Sequence, residues 1–121
     1  MENNTIKNLF GDGYKQRIAV YIPSTVNAVE NSGELAEQIT NRAAEKMSVL
    51  FGGATIQPAE GSWISDEHGY IKESVNIVYS YTDEQKLEQF AADVHALAVY
   101  VRDVMKQEAV SVEINNALYF V

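Results

Sequence analysis

The chain has 121 residues, 46% of them hydrophobic and 21% charged, with 9 Lys+Arg against 17 Asp+Glu for a formal net charge of -8. That length suits one compact domain, and that composition is globular rather than disordered. No cysteine is present, which excludes disulfide frameworks, thiolate metal sites and cysteine nucleophiles. The acidity disfavours direct nucleic-acid binding, because phosphate neutralisation needs clustered Lys and Arg.

Residues 1–13 are expected to form a flexible arm with a turn at Gly11-Asp12-Gly13, and residues 14–121 a single domain. The polar start carries no apolar targeting core. The longest apolar run, Ala96 to Val101, is too short to span a bilayer. A cytoplasmic protein without membrane contact is therefore expected. Ile18, Val20 and Ile22 alternate as a strand that Pro23 stops. Asn31 and Glu34 have capping-box spacing, and Leu35, Ile39, Ala43, Met47 and Leu50 then mark one face of a helix ended by Gly52-Gly53. A second strand spans 54–59, and a turn falls near Asp66 to Gly69. The third strand, 71–81, alternates, with Val75, Ile77, Tyr79 and Tyr81 on its more apolar side, taken as the core side. Thr82 and Gln85 form a second capping box before a long amphipathic helix through Leu87, Val94, Val101 and Met105. Val110, Val112 and Ile114 make a fourth strand, and a turn at Asn115-Asn116 leads to a fifth.

This order predicts a ferredoxin-like α+β fold: β-α-β-β-α-β with an extra C-terminal strand, and two helices on one face of an antiparallel sheet. The other face is uncovered. Tyr21, Val78, Thr55 and Tyr119 are expected on it, and a half-apolar open face suits self-association or a ligand groove. Tyr100 lies off the apolar stripe of the second helix. Tyr21, Val78, Tyr100 and Tyr119 are thus the expected interface residues of a homo-oligomer, with a small molecule or a protein as further partner.

Gly61-Ser62-Trp63, then Gly69, then Glu73-Ser74, then Gln107-Glu108-Ala109-Val110 form a recognisable layout. It resembles a domain-of-unknown-function family of small bacterial ferredoxin-like proteins with Gly-x-Trp, Glu-x-Ser and Gln-x-x-Val motifs. The similarity covers residues 14–114 and implies the fold. It departs where Ile64 replaces a basic residue after the Trp, and in lacking the export segment of many members.

Glu73 is the most informative single residue. Its parity puts a carboxylate among apolar neighbours, which calls for a partner such as Arg17 or Arg42, or for a ligand. Trp63 is the only tryptophan and supplies either packing area or a shelf for a planar ligand. With Tyr79 they form the candidate ligand-binding set. Asp66-Glu67-His68 sits on one turn and His95 has no ligand at helical offset, so neither predicts a metal. No cofactor is implied. Nucleotide-loop, triad and zinc-helix motifs are absent. The leading expectation is a non-enzymatic interaction or ligand-binding module. An acidic inhibitor from a phage or plasmid, mimicking nucleic acid or sequestering a nucleotide signal, is one alternative. A small enzyme with Glu73 as acid or base and Trp63 as shelf is the other.

Overall fold

The computed structural model describes residues 4–26, 30–31 and 33–121. Its elements in chain order are α1 (Thr5–Phe10), β1 (Gln16–Pro23), β2 (Thr25–Val26), β3 (Glu30–Asn31), α2 (Glu34–Phe51), β4 (Thr55–Ser65), β5 (Gly69–Thr82), α3 (Glu84–Met105), β6 (Ser111–Ile114) and β7 (Ala117–Phe120). The main sheet has the order β4-β5-β1-β6-β7, and every neighbouring pair is antiparallel. This is the ferredoxin-like arrangement with β7 added at one edge, as the alternation of strand and helix signals predicts. The short pair β2–β3 stands apart from the main sheet.

Helices α2 and α3 cover one face. Ile18, Val20 and Ile22 of β1, Val78 of β5 and Val112 of β6 pack beneath Ile39, Ala43, Met47, Val94, Ala98 and Val101 in one buried cluster. Here the expected parity of β5 is inverted. Val78 is 0% exposed, and Ser80 and Thr82 are buried with it, so the even positions face the helices. The hydroxyl of Ser80 donates to the carbonyl of Gly53 at 2.6 Å, and Asn76 Nδ2 donates to Thr40 Oγ1 at 3.3 Å. These bonds let small polar residues sit under the helices at little cost. The more apolar odd side, Val75, Ile77 and Tyr79, is left for the open face. Val78 is therefore not an interface residue. Tyr119 pairs with Val112, whose side chain is buried, so Tyr119 belongs at the edge of the helix side rather than on the open face.

Two caps also differ from expectation. Gly33 holds the N-cap of α2, while Asn31 pairs within β3. Asp83, one residue beyond Thr82, caps α3 by accepting from Lys86 N at 2.8 Å. Gly52 ends α2 in the left-handed region at φ 90, where glycine carries no Cβ penalty. The turn 66–68 joins β4 to β5, as Ser65 pairs with Gly69. Residues 5–10 of the expected arm form a short helix with no buried side chain.

Candidate functional site

The open face carries a groove of about 540 Å³. Its floor comes from three adjacent strands. Register places Gly61 opposite Glu73, Ala59 opposite Val75, Tyr21 opposite Ile77 and Pro23 opposite Val75. In an antiparallel pair, residues opposite each other share a face, so one stripe of the sheet gathers these side chains. Trp63 closes one wall, Leu118 and Phe120 of β7 another, and the segment 107–111 after α3 a third. The residues of the Gly-x-Trp, Glu-x-Ser and Gln-x-x-Val layout thus converge: Gly61, Trp63, Glu73, Gln107 and Val110 all line this groove.

Of the candidate set, Trp63 and Glu73 line the same groove. Tyr79 is not part of the groove. Its ring lies under the guanidinium of Arg17, 3.9 Å from the centroid, and packs edge-on against Tyr81. The expected ion pair of Glu73 with Arg17 or Arg42 does not form. Arg17 Nε is 3.6 Å from Glu113 Oε2, and Arg42 donates to Tyr100 Oη at 2.5 Å on the helix side of the molecule. Glu73 Oε2 accepts instead from the hydroxyl of Thr25 at 2.5 Å.

The carboxylates of Glu73 and Glu108 line the groove, the side chain of Glu60 at its border lies on the other face of β4 by register, and no Lys, Arg or His is among the lining residues. Glu60 is offset by an exposed pair with Lys72 at 2.9 Å. Glu108 Oε1 accepts from Ser65 Oγ at 3.1 Å, and Ser65 Oγ in turn accepts from the backbone N–H groups of Glu67 and His68. Glu73 and Glu108 therefore have neutral hydroxyl partners that orient them and leave their charge in place. Gln107 has spent its amide donor on the backbone carbonyls of Thr25, at 2.7 Å, and Met105, at 3.0 Å. The groove is lined mostly by apolar residues and carries acidic but no basic side chains.

Tyr21 borders this groove and points its hydroxyl away from Glu73, donating to Glu113 Oε1 at 3.1 Å. Burial, and then that bond to a carboxylate, push the Tyr21 phenol above its ordinary 10.0. Among the described residues no group of three His, Asp or Glu side chains could hold a metal ion, and no helix is long and apolar enough to cross a membrane. Thr25, Gln107 and Glu108 as a set were not singled out from sequence. Gln107 and Glu108 carried a motif signal, but Thr25 had none, since its role depends on a contact across 48 residues of chain.

No family model and no curated protein matches the chain. Two solved structures share its fold at near full length. A phage SAM lyase in complex with S-methyl-5'-thioadenosine aligns with a TM-score of 0.64 and 17% identity, covering 90% of this chain and 91% of that one. A phage SAM lyase in the apo state aligns with a TM-score of 0.66 and 19% identity, covering 100% and 94%. The expectation of a non-enzymatic interaction or ligand-binding module gives way here, because the fold shared over nine-tenths or more of each chain belongs in both cases to an enzyme.

Proposed function

We propose that this chain is a lyase that cleaves S-adenosylmethionine (SAM) to S-methyl-5'-thioadenosine. The observation that carries the reading is the groove's electrostatics. Its aromatic and aliphatic walls suit a nucleoside, and its carboxylates face no basic side chain among the lining residues. SAM presents both a planar base and a cationic sulfonium beside an ammonium. A cation in a partly desolvated acidic groove is bound by charge attraction that water would weaken. The shared fold with two phage SAM lyases supports the same substrate.

The chemistry follows from what the groove offers and withholds. Glu73 accepts from the ammonium and faces the sulfonium, holding the cationic end in place. Trp63 is the shelf for the base. The α-carboxylate of the substrate finds no cationic partner in the lining and stays free as a nucleophile. Its attack on the γ-carbon forms a C–O bond and closes a five-membered lactone. The C–S bond breaks, and its electron pair goes to sulfur and neutralises it. No water enters and no proton needs to move. The step annihilates charge, so apolar walls favour its transition state over the charge-separated reactant.

The direct test is incubation of the purified chain with SAM and chromatography of the products. S-methyl-5'-thioadenosine and homoserine lactone should appear together, and Glu73→Gln should slow their release about 10- to 100-fold, as loss of a charge-assisted contact does. No turnover by the unaltered chain would overturn the reading. The open face also exposes Leu118 and Phe120, and we take a second copy of this chain as the partner that meets them. A cytoplasmic location fits a substrate drawn from the metabolite pool.

A further inference from the structure

We propose that Thr25 and Gln107 are positioning residues for Glu73, acting through a relay that aims its carboxylate without neutralising it. This rests on the lyase reading above. The relay joins β2, β5 and the segment just after α3. Gln107, just after α3, donates through Nε2 to the backbone carbonyl of Thr25 at 2.7 Å and to that of Met105 at 3.0 Å. Thr25, in the two-residue strand β2 outside the main sheet, donates its hydroxyl to Glu73 Oε2 at 2.5 Å. Gln107 and Glu73 both line the groove.

The chemistry of each link is specific. A carboxylate on a sheet face can rotate about its last side-chain bond, which is broad and roughly two-fold. One donor on Oε2 fixes that rotation and leaves Oε1 for a ligand. An Arg or Lys in place of Thr25 would fix it too, but would cancel the charge that attracts a cation. A hydroxyl orients and keeps the charge. Thr25 can do this only if its own backbone is held, because β2 pairs with nothing but the equally short β3. Two paired residues are marginal on their own. Gln107 supplies the hold, tying Thr25 to the end of α3. Gln107 therefore acts at one remove, and its effect on the reaction must pass through Thr25 and Glu73.

Thr25→Val keeps the shape and strand preference and removes the hydroxyl. It should lower kcat about tenfold and change KM less than twofold, because a misaimed carboxylate still attracts the cation. Thr25→Ser, which restores the donor, should recover most of the rate. Gln107→Leu should fall in the same range as Thr25→Val. In a Glu73→Gln background, Thr25→Val should cause no further loss, since residues acting through one group are not additive. Circular dichroism and melting of each variant separate this from misfolding. Native kcat in Thr25→Val, or full additivity with Glu73→Gln, would overturn the relay while leaving the lyase reading intact. An unaltered chain that neither cleaves SAM nor binds it by calorimetry would overturn both.

Discussion

Tyr21 stands between two neighbourhoods, with its ring on the groove and its hydroxyl on Glu113. Burial and the adjacent carboxylate both favour the neutral phenol, so its folded value lies above the unfolded 10.0. A raised folded pKa gives stability that is full below the unfolded value and is lost as pH rises through the folded one. Tyr21→Phe should therefore flatten part of the fall in stability above pH 10.0, read as urea midpoints across alkaline pH for both proteins. Coincident pH curves would contradict it. The other tyrosines and the lysines contribute equally to both curves and cancel. Nearby, burial works against the charge of Arg17, and Tyr81 and Glu113 more than offset it. Residue-scale legibility in the sequence was uneven for a physical reason. Glu73 and Trp63 stand out because a carboxylate amid apolar alternation and a lone Trp are unusual in themselves. Thr25 and Glu113 are ordinary residues whose meaning comes from partners 48 and 92 positions away.

At the scale of elements, β5 carries the lesson about faces. Alternation correctly marks a strand, and it marks Val75, Ile77 and Tyr79 as its more apolar side. It cannot say whether the helices or the groove takes that side, because both are apolar environments. The helices took the side with Val78, Ser80 and Thr82, where small side chains let them approach and the Ser80 hydroxyl finds a backbone partner. Val78→Ala should cost about 2 kcal/mol in urea unfolding, from two buried methyl groups and the space they leave. Ile77→Ala, on the groove side, should cost less stability and weaken SAM binding instead. The reverse pattern would refute the assignment of faces. The extents of α2 and α3 were legible to within a residue or two, since periodicity and Gly52 delimit them, whereas α1 fell in the expected arm. The N-caps were not, because Asn31 pairs within β3 and Gly33 stands at the cap of α2.

For the whole molecule, the order of elements was enough to specify the sheet, because antiparallel pairing and short connections admit few topologies. The function was not legible at this scale, since one fold hosts many activities. The net charge of -8 points to a decoy for basic partners, but the acidic residues are dispersed, seven of the 17 standing at exposed positions of α2 and α3. The carboxylates that carry the proposed function are those inside the groove. The exposed apolar side chains around it lead to a further expectation. Light scattering should give a mass above 13.5 kDa, and Phe120→Glu, at a site 72% exposed, should return it towards that of one chain. A single-chain mass for the unaltered protein across a wide concentration range would remove self-association from the account. On the proposed lyase reading, the hydroxyl partners of Glu73 and Glu108 have one more effect, on product release. A lining that keeps its negative charge grips a sulfonium and has no comparable hold on a thioether. The proposed reaction would thus erase the feature by which its substrate is held, and the step that makes product would also loosen it for exit.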